Sequence, residues 1–194
     1  NVLDSTLEFD KVINEIEHLN EITKQISSLS LNFDEIFNKI FDYLSKTYGF
    51  EGCYLSLITN DKKYIKIEKH IFPSNINMKS IFKGEMKYQI QKNGCRTSSC
   101  IFENKVFFFT DVIPSKIEHE FKRRVVETLK IKSVIHVPVN LESEAIGALT
   151  LTTHEKSVYL SDKDIESMQR FVNQMSVMLT NAKLYEEISN KSNE

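Results

Sequence analysis

Apolar residues recur at steps of three and four along several stretches of the chain, and this spacing predicts amphipathic helices. The first predicted helix is Leu7–Leu29. The second follows Asn32, a residue suited to cap a helix N-terminus, and stops near Gly49, a residue suited to end one. Two further helices are predicted, a short one within residues 78–91 and a longer one over residues 115–129.

A long helix is predicted at the end of the chain, from the expected N-cap Ser161 to about Ser189. One apolar stripe on it steps alternately by three and four residues, which is typical of a coiled-coil seam. This stripe, our candidate dimerisation and signalling surface, consists of Met168, Phe171, Met175, Met178, Ala182 and Tyr185. A second stripe repeats every seven residues and consists of Ile165, Val172 and Leu179. Either one stripe packs on the domain while the other pairs with a partner helix, or both lie in the core.

Shorter stretches alternate apolar and polar residues and predict β-strands. The segment from Gly52 to Phe72 has the pattern of a hairpin, with Asn60 and Asp61 at its turn. Further strands are predicted over residues 105–112, 133–139 and 145–153. Helices and hairpin-like strand pairs mix without regular alternation of strand and helix, which indicates an α+β fold with an antiparallel sheet.

The first and last predicted strands each carry two different faces. The apolar rows consist of Cys53, Leu55 and Leu57 in the first strand and Leu149 and Leu151 in the last. The mixed rows consist of Tyr54 and Ser56 in the first strand and Thr150 and Thr152 in the last. We expect the apolar rows to pack on helices. The mixed rows either flank one cavity or face solvent.

Composition and charge narrow the function classes. The 194 residues, 41% hydrophobic and 27% charged, have the composition of one globular domain with helical extensions. The net charge of −2 provides no basic excess for a phosphate backbone, so we expect no nucleic-acid partner. The sequence has no run of about 18 apolar residues and no signal-peptide pattern, so we expect no membrane insertion.

The cysteine usage bears on the compartment. Three cysteines is an odd number, and Cys53 lies inside an apolar strand pattern, which favours a reducing cytoplasm over a disulfide framework. The chain begins without methionine and ends in a polar tail, from which we expect a piece of a longer cytoplasmic protein.

The stretch NGCRTSSC, residues 93–100, raises the question of a metal or redox site. A zinc site is not expected, because Cys95 and Cys100 have no second Cys or His pair nearby. A single-histidine haem site remains open at His136, where a core or pocket histidine is the alternative. Arg96 beside Cys95 also leaves a redox switch open, with Cys100 as the resolving thiol.

The sequence offers no constellation for catalysis. It has no Gly-rich phosphate loop and no nucleophile elbow. Asp111 and Glu120 are single carboxylates without an evident acid–base partner. We therefore expect no enzyme activity in this segment.

Several segments, in order, resemble the GAF domain family of small-molecule sensor modules. They are GCYLSLITND, KVFFFTDV, the helix and strand FKRRVVETLKIKSVIHVPV, and the strand, loop and exit helix from EAIGALTLTT to NAKLYEEI. The resemblance covers roughly residues 19–188. It implies an antiparallel sheet of five or six strands, with the N- and C-terminal helices layered on one face and a ligand pocket on the other.

The resemblance also places residues 93–100 as a loop at the lip of that pocket, where Arg96 would offer a bidentate donor to an anionic ligand. Together with the alternation of the strands, it gives a set of expected pocket residues. They are Tyr54, Ser56, Cys95, Arg96, Thr97, Ser98, Asp111, His136, Thr150 and Thr152.

The ligand is expected to be a small molecule of unknown identity, and no cofactor is required. Family members that bind cyclic nucleotides carry an Asn-Lys, Phe, Asp-Glu signature. The corresponding positions here are Thr153-His154, Leu160 and Asp164-Ile165, of which only Asp164 fits. A cyclic nucleotide is therefore possible, but most of its signature is absent. The bilin-attaching Cys-His pair of phytochromes is also missing, because no histidine follows Cys95 or Cys100.

The resemblance implies an organisation of three parts. Residues 1–30 form an N-terminal signalling and dimerisation helix, residues 31–160 the GAF core, and residues 161–194 an exit helix that leads to a covalently linked output domain. We expect a homodimer through the terminal helices and favour an adenylate or guanylate cyclase as the parent protein. The alternatives are a ligand-free dimerisation scaffold, the sensor of a histidine kinase or cyclic-di-nucleotide enzyme, and a GAF-fold enzyme such as a free methionine sulfoxide reductase.

Overall fold

The computed structural model describes residues 2–28, 32–77, 86–92, 94–118 and 120–192. Contacts along the chain divide it into two compact units. The first unit contains residues 1–43 and 178–194, and the second contains Leu44–Val177. The expected pocket residues all lie in the second unit.

The first unit is helical. Its α1 helix spans Val2–Ser28, and α2 spans Phe33–Tyr48 and continues into the second unit after Tyr43. Both predicted helices are confirmed, although Leu29 lies outside the described residues. Asn32 caps α2, because its Oδ1 accepts hydrogen bonds from the backbone N–H groups of Asp34 (3.0 Å) and Glu35 (3.3 Å). Within this unit the ring of His18 stacks on Tyr43, with centroids 4.8 Å apart.

The second unit is built around a six-stranded antiparallel sheet of order β3-β2-β1-β6-β5-β4. The strands are β1 (Gly52–Ile58), β2 (Tyr64–Ile71), β3 (Lys87–Gln89), β4 (Phe107–Phe109), β5 (Ser133–Leu141) and β6 (Glu144–Thr153). The helices are α3 (Arg96–Glu103), a 3-10 turn (Pro114–Lys116), α4 (Glu120–Leu129) and α5 (Asp162–Ser192), which continues into the first unit. The predicted α+β class and antiparallel sheet are confirmed.

The predicted hairpin turns are confirmed, one by its local hydrogen bonds and the other by its backbone conformation. Between β1 and β2 the carboxylate of Asp61 accepts hydrogen bonds from the Thr59 hydroxyl (2.5 Å) and the Lys63 N–H (3.0 Å). Between β5 and β6, Glu142 adopts a φ of 57°, a left-handed conformation favoured in two-residue hairpin turns.

Three local predictions are wrong. Residues 78–85 of the predicted short helix lie outside the described residues, but its remainder contains the strand β3, because Tyr88 pairs with Ile65. Residues 93–100 are not a loop throughout, since α3 begins at Arg96. The predicted strand over residues 105–112 shortens to β4, because Asp111 adopts a φ of 49°.

The predicted helix over residues 115–129 is split. Ile117 has extended backbone angles, φ −92° and ψ 111°, and these end the 3-10 turn before α4 begins. Pro114 opens the 3-10 turn, a position where its fixed φ is tolerated.

The start of α5 matches its predicted cap. Ser161 Oγ accepts a hydrogen bond from the Asp164 N–H (3.2 Å), and Asp164 Oδ2 accepts one from the Ser161 N–H (3.0 Å). This reciprocal pair satisfies two backbone donors that a helix end would leave without partners. Farther along, α5 is fastened to β5, because the Ser176 hydroxyl donates to the carbonyl of Asn140 and Gln169 Nε2 donates to the carbonyl of Pro138 (3.4 Å).

The expected dimerisation stripe on α5 needs correction. The side chains of Met168, Phe171, Met175 and Ala182 are at most 1% exposed within the single chain. Met178 is half-buried, and only Tyr185 is largely exposed, at 60%. The four buried members cannot pair with another copy unless the chain opens, so for them the predicted dimerisation surface is wrong. For Met178 and Tyr185 it stays a prediction. Val172 and Leu179 of the second stripe are buried as well.

The sheet of the second unit carries helices on the face that contains Tyr54 and Ser56. One apolar cluster under α3 joins Cys100 and Ile101 to Ile65 and Ala148 of the sheet. A second cluster joins Leu129, at the end of α4, to Ile67, Ile76 and Ile131, with Tyr54 packed against it. The expected pocket face is therefore covered by α3 and α4.

Candidate functional site

Four polar side chains meet on the sheet face that α3 and α4 cover. Tyr54 of β1 pairs with Thr150 of β6, and Thr150 in turn pairs with His136 of β5, so the register sets the three in one row across the sheet. The fourth, Thr97, reaches them from the first turn of α3. We call these residues the polar cluster.

Hydrogen bonds connect the members of the polar cluster. His136 Nδ1 lies 2.9 Å from the hydroxyl of Thr150 and 3.5 Å from the hydroxyl of Thr97. Hydrogen bonding with the same two threonines offsets part of the rise in the pKa of the Tyr54 phenol. Thr97, His136 and Thr150 are buried, at 3%, 6% and 0% exposed. Buried polar groups are normally paired, and these three pair with one another.

Burial keeps the polar cluster uncharged. Desolvation, assisted by the nearby charge of Arg96, lowers the pKa of His136 from 6.5 to about 3. Desolvation raises the pKa of Tyr54 to about 12. Imidazole and phenol are therefore both neutral near pH 7. The cluster offers hydroxyl and imidazole groups that donate and accept hydrogen bonds without formal charge.

We predict a pH dependence of stability from His136. Its pKa is lower in the folded chain than in the unfolded chain, so the unfolded state binds a proton first as the pH falls below 6.5. Stability from the neutral histidine is complete above that value and is lost toward about pH 3. Between pH 7 and pH 5 the loss should be about 2 kcal/mol. Urea unfolding at both pH values measures it. The His136→Asn variant should lack this part of the difference, and an unchanged difference would contradict the assignment.

Arg96 lies at the edge of the polar cluster and not inside it. Its guanidinium stands over the rings of Phe107 and Phe109, 5.7 Å and 5.3 Å from their centroids. This cation–π arrangement holds an exposed positive charge beside the buried neutral groups. Before it in the chain, the half-buried Cys95 places its Sγ 3.5 Å from the hydroxyl of Ser98, which is 1% exposed.

Ser56 is the expected pocket residue with an unsatisfied group. It lies two residues from Tyr54 in β1 and is 0% exposed. Its hydroxyl finds no hydrogen-bond partner among the described residues. An orphaned buried hydroxyl costs free energy, so a polar group that reached it would bind favourably there.

Two expected pocket residues lie apart from the polar cluster. Asp111 is exposed and accepts hydrogen bonds from the hydroxyl of Tyr159, at 2.8 Å and 3.0 Å. Its hydrogen bonds with Ser157 and Tyr159 lower the pKa of its carboxyl. Thr152 is buried but is joined to His154, whose Nε2 lies 3.0 Å from its hydroxyl.

Sequence reasoning missed Tyr88 and the role of His154. Tyr88 packs on the cluster under α3, and burial raises the pKa of its phenol well above its usual value, with Thr97 and Cys95 as neighbours. Tyr88 was not recognised because a helix was predicted within residues 78–91. The polar–apolar–polar order of Lys87, Tyr88 and Gln89 is nevertheless typical of a strand. His154 is 7% exposed and hydrogen-bonded at both ring nitrogens. The sequence around a single histidine that follows a strand does not reveal that both of its ring nitrogens will be hydrogen-bonded.

The cysteines do not support the redox alternative. All three are unpaired, and Cys53 and Cys100 are buried. Burial, followed by the charge of Glu103, raises the pKa of Cys100 to about 12, so its thiol stays protonated and poorly reactive. Across the described part of the chain, no three His, Cys, Asp or Glu side chains are placed to hold a metal ion. No helix in the described ranges has the length and apolar character needed to cross a membrane.

Solved structures with the same fold come from several kinds of protein. The GAF domain of a two-component sensor histidine kinase from Bacillus halodurans has a TM-score of 0.61 and 17% identity, covering 81% of this chain and 99% of its own. The GAF domain of a phosphoenolpyruvate-protein phosphotransferase from Coxiella burnetii has a TM-score of 0.64 and 11% identity, covering 90% and 98%. A type II free methionine-R-sulfoxide reductase from Thermoplasma acidophilum has a TM-score of 0.57 and 13% identity, covering 79% and 96%. At these identities the likeness concerns the fold.

The comparison with curated protein sequences gives no match. Among family models, the one described as a GAF domain matches residues 30–180, which include the whole sheet and the polar cluster. The chain therefore belongs to the GAF domain family.

Proposed function

We propose that this chain is a regulatory GAF domain that binds a small organic molecule between α3 and the sheet, at the polar cluster. The observation that carries the proposal is the convergence of Tyr54, Thr97, His136 and Thr150, from four separate elements, within otherwise apolar surroundings. Small-molecule sites are typically apolar with a few directed polar groups. Since the cluster is neutral, it would select its ligand by hydrogen bonds, with Arg96 beside it for an anionic group.

Binding at this cluster would change the position of α3. The hydrogen bond between Thr97 and His136 is long, at 3.5 Å, and Thr97 is carried by α3. A ligand that takes over the hydrogen bonds of His136 and Thr150 replaces this weak contact and moves the helix that supplies it. A conformational response of this kind requires the ligand to bind the shifted state more tightly than the resting state.

The parent protein is proposed to be a cytoplasmic signalling protein that works as a homodimer through its terminal helices. Domains of similar fold occur in a sensor histidine kinase and in a phosphoenolpyruvate-protein phosphotransferase. The kinase and phosphotransferase activities belong to those proteins. We keep an adenylate or guanylate cyclase as the favoured output domain, with a histidine kinase or a cyclic-di-nucleotide enzyme as alternatives. Exposed apolar side chains on the terminal helices, among them Leu7, Phe9, Leu184 and Ile188, provide surface for such pairing.

Thr97→Val tests the proposed site, because it removes a buried hydroxyl and retains the shape of the side chain. We expect a thermal-shift screen of small metabolites, including cyclic AMP and cyclic GMP, to find a compound that raises the Tm of the wild-type chain by several degrees. The same compound should raise the Tm of Thr97→Val far less.

Thr128→Val on α4 is the matched control, since Thr128 is exposed and lies outside the polar cluster. Its response should equal that of the wild type. An equal response of all three proteins would place the binding site elsewhere, and no response from any compound would favour a ligand-free domain.

A ligand-free dimerisation scaffold is the second candidate. It is favoured by the way the members of the polar cluster satisfy one another, because such a network is stable without a ligand. The Ser56 hydroxyl, which has no hydrogen-bond partner among the described residues, favours the sensor function instead, because a ligand could supply that partner. The reductase alternative is less favoured, since Cys53 and Cys100 are buried thiols whose pKa values are raised.

A further inference from the structure

The segment that joins β6 to α5, residues 154–161, is hydrogen-bonded to elements on several sides. Glu51, just before β1, accepts the backbone N–H groups of His154 (2.5 Å) and Glu155 (3.0 Å) with one carboxylate oxygen. The carbonyl of Val158 accepts the hydroxyl of Thr110, after β4, at 2.8 Å. We call residues 154–161 the connector. It leads directly into the first turn of α5.

His154 links the connector to α4. Its Nδ1 lies 2.6 Å from the carbonyl oxygen of Leu129, the last residue of α4. A carbonyl can only accept, so Nδ1 carries the proton and donates it. The last carbonyl groups of a helix have no hydrogen-bond donor within the helix. His154 therefore provides the donor for the carbonyl of Leu129. The other nitrogen, Nε2, lies 3.0 Å from the hydroxyl of Thr152.

The packing around His154 holds the ring in this orientation. A Cβ atom on Gly52 would lie 2.8 Å from Nε2 and 2.6 Å from the Thr152 hydroxyl, so the space for the ring depends on glycine at the start of β1. The ring also meets Phe72 edge-on, with centroids 5.8 Å apart. His154 is therefore fixed by contacts on several sides.

The same end of α4 takes part in the packing of the candidate site. Leu129 is 2% exposed and lies in the apolar cluster against which Tyr54 and Val126 pack. Tyr54 is also a member of the polar cluster. A displacement of α4 would therefore move the carbonyl of Leu129, to which His154 is hydrogen-bonded.

We propose that His154 is a positioning residue that couples α4 to the connector, so that a shift of α4, which packs with Tyr54 of the polar cluster, changes the stability of the first turn of α5. This deepens the proposed sensing function and rests on it. Its test needs no ligand, however, and so can fail or succeed separately from the proposed binding site.

The experiment measures amide hydrogen exchange of the full chain in the first turn of α5, with the amides of β1 as the internal reference for global unfolding. Val126→Ala loosens the packing of α4 and serves as the perturbation. We expect it to raise exchange at residues 164–166, whose N–H groups begin the hydrogen bonding of the helix, by about threefold or more relative to β1 in the wild-type background.

Two substitutions of His154 form the matched pair. His154→Asn keeps an N–H donor at the place of Nδ1, while His154→Gln moves its amide to the place of Nε2 and loses the bond to Leu129. Val126→Ala should still raise exchange in the His154→Asn background and should no longer do so in the His154→Gln background. If urea unfolding shows that His154→Gln does not fold, His154→Phe, which retains a ring but no donor, takes its place.

An equal rise in exchange in all backgrounds would overturn the proposal, because the coupling would then bypass His154. So would the absence of any rise in the wild-type background. The proposal would be supported if Val126→Ala no longer raised exchange in the His154→Gln or His154→Phe background but still did so in the wild-type and His154→Asn backgrounds. If this result came together with a thermal-shift screen in which no compound bound, the coupling through His154 would stand and the proposed sensing role would be contradicted.

Discussion

Gly147→Ala is expected to destabilise the second unit by roughly 3 kcal/mol or more. A Cβ atom at this position would collide with the backbone carbonyl oxygen of Ser56 and would lie 2.6 Å from Cδ2 of Leu57. The collision is with the backbone of the neighbouring strand, so no side chain can rotate away to relieve it. Gly147 lies inside β6 between β1 and β5, where both neighbours are fixed by ladder hydrogen bonds.

Urea unfolding followed by far-UV circular dichroism measures this change. Gly94→Ala is the control, because the atoms nearest to its new Cβ, on Gln91, lie at 3.1 Å and 3.2 Å and only need to give slightly. We expect the control to cost much less than Gly147→Ala. Comparable losses for the two variants would show that the close approach of β1 to β6 does not determine the requirement for glycine.

Leu55→Ala is expected to cost roughly 2–5 kcal/mol, the range for leucines deleted from a rigid core. Leu55 is 0% exposed and lies in the central strand β1, where it pairs with Leu149. The strands on both sides restrict how far the surroundings can close around the space left behind. The free energy of unfolding in urea is again the measurement.

Leu141→Ala is the matched control, since it removes the same atoms from a side chain that is 38% exposed at the β5–β6 turn. We expect a loss below about 1 kcal/mol. A loss at Leu141 equal to that at Leu55 would mean that burial in the sheet is not the source of the stability. Since Leu55 lies in the core and Leu141 at the exposed β5–β6 turn, the double variant should show additive losses.

The elements with strong periodicity could be predicted from the sequence, and those without it could not. The helices α1, α2 and α5 and the strands β1, β2, β5 and β6 have repeats long enough to reveal their type. The helix α3 contains Thr97 and Ser98, which are buried but polar, so its sequence has the composition of a loop. Its burial comes from the sheet below it, which no local pattern expresses.

The candidate site was predictable to the extent that strand alternation determines a face. Alternation placed Tyr54 and Thr150 on the mixed face, and the structure joins them to His136. The register that sets these three in one row depends on how the strands pair, which single strands do not reveal. Asp111 was misplaced because it follows β4 with a left-handed backbone, which turns it away from a continuing strand.

The buried stripe on α5 shows a second limit. A spacing of three and four residues marks a helix face that avoids water, but not what covers it. For Met168, Phe171 and Met175 the cover is the chain itself. Burial within one chain and burial between two chains place the same demand on the sequence, so only the structure separates them.

The two short outer strands have a consequence for how copies of this chain can associate. An open sheet can grow by adding a strand from another molecule, which leads to aggregates as readily as to assemblies. Here β3 and β4 offer only three residues each at the rims, and Arg96 places a charge over the phenylalanines of β4. Such rims give an incoming strand little to pair with. We therefore expect self-association to use helix surfaces rather than pairing along β3 or β4.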